Sequence, residues 1–362
     1  MEEKEPMDTM TPLQRFKVAA KLGKPDQVPV VPFATGHYLA WFGGLDQKEY
    51  WTDPIKRLKV QLKFQNKFPD VMLYPGIWPD YGAAVEPSAF GVKIDWPQNG
   101  SAMIHPVDAK SIEEPADPWK DGLMPKALED YEYILENMPS SYTEKYEYLD
   151  GWAISLGPVD TAALSAGYNV LFDKFYTDPK EAHRLLRITT ETVIRYVNAQ
   201  EKIGGGLKRY IIADDSSGLM SLQHFKEFVL PYMKKIFATF SYAIGIFHCD
   251  SNTSHLLDSI PEVGMDIFNF GPEVNIKKIK DKIGDKVCLL GNAPPIDIAK
   301  IPASNTLQKG TVEDVDRICK HLIETGKSGG GYMLTTGSGM AAGTPLENIE
   351  TMIKAGEKYG RY

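Results

Sequence analysis

The chain has 362 residues and a formal net charge of −8, and 43% of its residues are hydrophobic. That apolar content suffices for a substantial core and excludes a globally disordered chain. The acidic balance, with no Lys/Arg run, argues against a general nucleic-acid binder. No stretch approaches the ~20 apolar residues a membrane helix needs, and the acidic start MEEKEPMDTM lacks the basic-then-apolar pattern of a signal peptide. Three cysteines, Cys249, Cys288 and Cys319, are too few and too odd in number for a disulfide framework, so a reducing cytoplasm is the default location.

Residues 1–10 read as a short flexible lead. Thr11, Pro12 and Gln14 form a capping-box start for a helix running to about Leu22 and stopping at Gly23. Val28 to Phe33 is a short β-branched run interrupted by prolines and ending at Gly36-His37-Tyr38. A second strand-like run, Val71 to Tyr74, leads into a long excursion over 75–148. Its first part is rich in Pro, Gly and aromatics, with a possible strand at Phe90 to Asp95. Its second part is acidic and helical in places, with Met124, Leu128, Tyr131 and Ile134 at helical spacing.

From Trp152 the pattern is regular. Strands are expected at Trp152–Leu156, Tyr210–Ala213, Ala243–Phe247, Asp266–Phe270, Val287–Leu290 and Tyr332–Leu334. Helices are expected between and after them at about 160–172, 178–202 behind Asp178-Pro179, 221–240 behind Ser221, 251–263, 275–283, 311–326 behind Thr311, and 345–358. With the runs at Val28 and Val71 this makes eight strands, each followed by a helix or a long connection. Such alternation implies a parallel sheet, and eight units imply a closed (β/α)8 TIM barrel. The expected organisation is one barrel domain over 1–362, with an N-terminal helical extension and the 75–148 excursion within it. A doubly wound open sheet lacks its usual support, because no GxGxxG joins the first strand to the first helix.

In such barrels the site lies at the C-terminal ends of the strands. Those ends carry His37, Gly76, Gly157, Asp214 with Asp215, His248 with Asp250, Asn269, Asn292 and Ser338. The sharpest cluster is His248-Cys249-Asp250 after an apolar run. Side chains alternate along a strand, so His248 and Asp250 point one way and Cys249 the other. The pair can serve one metal ion, with Zn²⁺ the natural choice. Further ligands could come from Glu227, from Asp214 or Asp215, or from the loop around Ser338. The bland alternative is that His248 closes the strand and Asp250 caps helix 251–263. Asp214 and Asp215 could act as a base, orient a substrate, or simply cap the next turn. Gly157 and the Gly291-Asn292 pair allow close backbone approach to a ligand, or are ordinary turns. Cys288 and Cys319 read as buried small hydrophobes. Aromatics crowd the first hundred residues, among them Tyr38, Trp41 and Trp78, and suit an aromatic ligand by stacking or a methylated ammonium by cation–π attraction.

The stretches TPLQRFKVAAKLGKPDQVPVVP, GPVDTAALSAGY, ADDSSGLMSLQHFKEFVLPYMKKI, IFHCDSNTSHLL, LLGNAPP and GSGMAAGTPLENI run from about Thr11 to Glu357. With them the chain resembles the uroporphyrinogen decarboxylase superfamily and, within it, the corrinoid-dependent methyltransferases. The resemblance implies a (β/α)8 barrel. True uroporphyrinogen decarboxylases carry RQAGRY after the first strand and a His in the C-terminal glycine loop. Here the matching places read ATGHYLAWFGG, without arginine, and Ser338. The thiol-directed methyltransferases hold zinc through His-x-Cys and a later Cys, which fall here at His248, Asp250 and Ser338.

An oxygen-rich site of this kind points toward the O-demethylase-type methyltransferases. The 20 residues between Glu227 and His248 match the spacing of their zinc site, although its upstream carboxylate falls at Ile212, near Asp214. The resemblance therefore implies metal ligands His248, Asp250 and Glu227, and catalytic groups Asp214, Asp215 and His248. It implies a substrate lining of His37, Tyr38, Trp41, Trp78, Gly157, Asn292 and Ser338. It also implies a corrinoid (cobalamin) carried by a separate corrinoid protein, a small phenyl methyl ether or methylated amine as donor, and possible homodimer formation. Rival readings are a decarboxylase, a methylcobamide:thiol methyltransferase and a non-catalytic binding barrel.

Overall fold

The computed structural model describes residues 10–298 and 300–362. All but the last residue of the lead expected at 1–10 lies outside them. Among the described residues eight strands are present, β1 to β8. β1 (Lys93–Asp95) and β2 (Met103–His105) form an antiparallel hairpin inside the 75–148 excursion. β3 (Trp152–Leu156), β4 (Arg209–Ala213), β5 (Ile244–Cys249), β6 (Ile267–Phe270), β7 (Cys288–Leu290) and β8 (Tyr332–Met333) form one parallel sheet in sequence order. Its strands are nearly continuous apolar runs, as a sheet covered on both faces requires.

Two extended segments continue the wall. Val31 N–H donates to Leu334 O (2.8 Å) and Leu334 N–H to Pro29 O (2.9 Å). Ala34 N–H then donates to Tyr74 O and Tyr74 N–H to Pro32 O, both 2.9 Å. The strands expected at Val28–Phe33 and Val71–Tyr74 are therefore staves held by single bridges. Pro29 and Pro32 accept hydrogen bonds but have no N–H to extend a ladder. The result is a TIM-barrel wall of eight staves with one seam, between the Val71–Tyr74 stave and β3.

Side chains fill that seam. Ile154 N–H donates to Gln200 Oε1 and Gln200 Nε2 donates back to Ile154 O, both at 3.0 Å. Leu156 N–H donates to Glu86 Oε1 at 2.9 Å, and the Tyr131 hydroxyl reaches Trp152 O. The exposed edge of β3 thus finds partners without a neighbouring strand.

The helices follow their caps. Thr11 with Gln14, and Thr311 with Asp314, close capping boxes on Pro12–Ala20 and Val312–Gly326. Asp178 caps Pro179–Gly204 and Ser221 caps the segment after β4. The expected spacing at Met124, Leu128, Tyr131 and Ile134 is the buried face of Met124–Asn137. Two expectations change. The stretch between the first two staves holds helices Gly36–Gly43, Gln47–Thr52 and Pro54–Lys67, so His37 and Tyr38 are helical. The helix expected at 251–263 is a series of turns closing in a short 3-10 segment, Ile260–Val263, because the Asp250 carboxylate turns into the barrel mouth instead of capping. Among the described residues no helix is long and apolar enough to cross a membrane.

Candidate active site

Register builds the site. Leu156, Ala213, His248, Asn269, Leu290 and Met333 stand opposite one another across β3 to β8. In-register neighbours on a parallel sheet point the same way, so His248 and Asn269 meet. Asn269 Nδ2 donates to Leu290 O at 2.7 Å, which turns Oδ1 toward His248 Nδ1. Nδ1 is then the protonated nitrogen, and Nε2 carries the free lone pair.

Around Nε2 lie two carboxylates. Asp215 Oδ1 is 3.6 Å away and also accepts the backbone N–H of Asp250 at 2.8 Å. Asp250 Oδ2 accepts the Ser338 hydroxyl at 2.7 Å. Ligand atoms of Asp215, His248 and Asp250 lie within 4.8 Å of one another. Asp160, from the helix Pro158–Ala166, accepts Asp215 N–H (2.8 Å) and Ser216 N–H (3.0 Å) and so fixes the turn that presents Asp215. Asp215 lines the cavity and is 42% exposed by side-chain area. Protein nevertheless crowds it enough that burial, then repulsion from Asp250 and Asp160, raises its carboxyl well above the usual range. Among the described residues no Lys or Arg pairs with Asp160, Asp214, Asp215 or Asp250. Uncompensated carboxylates grouped with one imidazole favour a cation. One nitrogen and two carboxylate donors suit zinc, so the residues present fit a metal.

His248 and Asp215 line a cavity of about 290 Å³ with a largely apolar lining that includes Phe33, Trp51, Tyr74, Trp78 and Tyr196. Phe33 meets the His248 ring edge-on, with centroids 5.3 Å apart. Among the described residues no Lys or Arg lines it. His37 lines it too, bonded through Nε2 to Ser101 Oγ at 2.9 Å, and burial lowers its proton affinity.

Other expected site residues stand elsewhere. Glu227 lies in a π-helical turn, Phe225–Val229, is 43% exposed, and has His183 at 3.9 Å; it does not join the triad. Tyr38 is fully buried against Phe42 and Phe64, and Trp41 is 47% exposed; neither lines the cavity. Asn292 donates through Nδ2 to Gly271 O and Val274 O, its Oδ1 is buried without a partner, and it does not line the cavity. Asp214 is buried behind the turn, accepting Val159 N–H at 2.9 Å. Burial and nearby Asp160 raise its carboxyl well above the usual range. Gly157 serves Asp214, since a Cβ there would come within 2.3 Å of its Oδ2. Cys249 points away, as alternation requires, and is fully buried.

Asp160, Asp80 and Glu86 escaped sequence reading. Asp80 lines the cavity and takes N–H groups from Gly36 and Gly82, each at 2.9 Å. Asn269 was legible as a strand-end residue, but its hold on His248 was not.

The comparisons agree with this architecture. The chain is 26% identical to the methylated-thiol–coenzyme M methyltransferase of Methanosarcina mazei over 287 residues, covering 76% of this chain and 71% of that one. It is 28% identical to the uroporphyrinogen decarboxylase of Dechloromonas aromatica over 192 residues, 51% of each. Of the solved structures, a methyltransferase from Methanosarcina mazei superposes with a TM-score of 0.79 over 97% of this chain and 99% of its own, at 23% identity, and so shares the fold. The uroporphyrinogen decarboxylase (URO-D) family model matches residues 11–359, and the chain belongs to that family.

Proposed function

We propose that this chain is a methyltransferase. It takes a methyl group from a small donor, a phenyl methyl ether or a methylated amine, and passes it to the Co(I) corrinoid of a separate corrinoid protein. The observation that carries the reading is the His248–Asp250–Asp215 group, two of whose members, His248 and Asp215, line a largely apolar, aromatic cavity with no Lys or Arg among the described residues. A porphyrinogen decarboxylase must hold several substrate carboxylates, and this lining offers them no cation. The methyltransferase relative in Methanosarcina mazei supports methyl transfer, although its name gives a methylated thiol rather than an ether or amine.

His248 through Nε2, Asp250 and Asp215 would hold Zn²⁺, with Asp215 taking the place expected of Glu227. When bound, the ion supplies Lewis acidity toward the oxygen or nitrogen that loses the methyl group. The chain's own residues do the rest. Asn269 fixes the His248 tautomer, Ser338 orients Asp250, and Asp160 orients Asp215. Phe33 and Tyr74 pack on His248 and keep the site apolar. Of the two acids expected to serve a leaving phenolate or amine, Asp214 does not line the cavity, and Asp215, which does, serves in this reading as a metal donor instead of a proton donor.

The test has two arms. Purified protein should bind one zinc ion per chain and lose it on His248→Ala. A panel of phenyl methyl ethers and methylated amines, mixed with a reduced corrinoid protein, should give the absorbance change of a methylated cobalt centre. No metal under reconstitution, or no methyl transfer from either class, would refute the proposal.

A further inference from the structure

The cavity extends beyond the triad. It runs along the seam beside β3 and reaches Tyr196 and Gln200 on the outer helix Pro179–Gly204. At that end stands Glu86, 3% exposed and on the cavity lining. Its hydrogen bonds from Ser155 Oγ (2.7 Å) and Leu156 N–H (2.9 Å) both land on Oε1. Among the described residues no other residue donates to Oε2. That oxygen is open to a hydrogen-bond donor arriving from the cavity.

Distance follows from register. Leu156, Ala213 and His248 share one level across three adjacent strands, so the backbones of Leu156 and His248 are two strand spacings apart, roughly 10 Å, and Glu86 lies one hydrogen bond beyond Leu156. Aromatic and aliphatic side chains, among them Tyr74 and Ile154, line the same cavity. The space suits a one-ring molecule with its methyl group at the triad and its other end at Glu86.

We propose that Glu86 is a specificity-determining residue whose Oε2 accepts a hydrogen bond from a ring hydroxyl of an aryl methyl ether, at the end remote from the methyl group. This rests on the methyl-donor reading above. A hydroxyl supplies the missing bond as a neutral partner, and the aromatic walls favour a ring. Glu86→Gln keeps an oxygen for Leu156 N–H but presents an N–H to the cavity in place of an acceptor. The variant should therefore lose the advantage a hydroxyl gains by donating to a carboxylate, because a hydroxyl oxygen and an ether oxygen can both accept that N–H.

The experiment is calorimetric binding of 4-methoxyphenol, methoxybenzene and 1,4-dimethoxybenzene to the full chain, wild type and E86Q, with thermal unfolding as the check on folding. Wild type should bind 4-methoxyphenol about tenfold more tightly than methoxybenzene, the size expected for one hydrogen bond to a charged group. E86Q should weaken that preference and move toward the dimethoxy compound. Equal binding of the phenol and methoxybenzene by wild type, no binding of any of the three, or an unchanged preference in E86Q overturns the assignment. The wild-type comparison decides even if E86Q fails to fold. Binding is read without a corrinoid protein. Discrimination without methyl transfer would leave Glu86 its role and remove the methyl-transfer reading, and methyl transfer without discrimination would do the reverse.

Discussion

Asn269 is the residue on which the geometry of His248 turns. Its amide is held by Leu290 O on one side and holds Nδ1 on the other, so the free nitrogen faces Asp215 and Asp250. Asn269→Ala should leave the imidazole in place but free to rotate. Partners of this kind contribute about 10–100-fold to metal affinity. Competition with a chromophoric chelator should show zinc affinity falling by about that factor. His248→Ala should abolish binding instead, and an Asn269→Ala protein with wild-type affinity would show that the ring needs no such support. Alternation along β5 made the His248–Asp250 pair legible and set Cys249 aside. Interval matching failed for Glu227, because residues between two positions do not fix the phase of a helix, and a π-helical turn intervenes. Asp160, Asp80 and Glu86 were not legible at all. Each acts on backbone 35 or more residues away or across the seam, and nothing local marks a carboxylate for such a contact.

The strands from β3 onward are short apolar runs with polar ends, and the sequence locates them within a residue or two. Several helices carry local caps that do the same. The first two staves are harder, because proline removes the donors that would have made them regular strands. The helices between them were hidden in a stretch crowded with aromatics, although Asp46 with Glu49 closes a capping box there and Asp53 caps the next helix. The seam beside β3 is invisible to periodicity. Its energetic cost is met by Gln200, whose side-chain amide donates and accepts as a neighbouring strand would. Gln200→Leu should leave the Ile154 N–H and C=O without protein partners. Each orphaned buried group costs about 1–3 kcal/mol, and because Ile154 is only partly buried the sum should lie near 2 kcal/mol. Urea unfolding should show a lower midpoint with an unchanged slope. A loss below about 0.5 kcal/mol, the level of ordinary surface substitutions, would mean water already serves that edge.

Across the whole molecule, the acidic balance is not only on the surface. Asp80, Glu86, Asp160 and Asp214 are all buried, and burial raises each carboxyl. A carboxyl raised in the folded chain favours folding while protonated. Its contribution is present below the unfolded value and is lost as pH rises through the folded one. Surface acids such as Asp26 and Asp314, lowered by arginine partners, act in the opposite sense and mask the effect in the intact protein. Asp80 isolates it. Burial lifts its carboxyl from 3.8 to about 6, against the opposing pull of Gly82 N–H, Arg57, Tyr50 and Gly36 N–H. The full difference corresponds to about 3 kcal/mol, of which about 2 kcal/mol falls between about pH 7 and about pH 4.5. Asp80→Asn removes the titration. The variant is expected to be less stable than wild type at both pH values, because an amide N–H would oppose the donors from Gly36, Gly82 or Tyr50. The informative quantity is how that gap changes. Urea unfolding of both proteins should show wild type gaining about 2 kcal/mol on the variant as pH falls over this window. A constant gap would mean that the protein around Asp80 leaves its affinity for a proton unaltered, and would remove the buried carboxyls as a source of pH-dependent stability at the wall of this cavity.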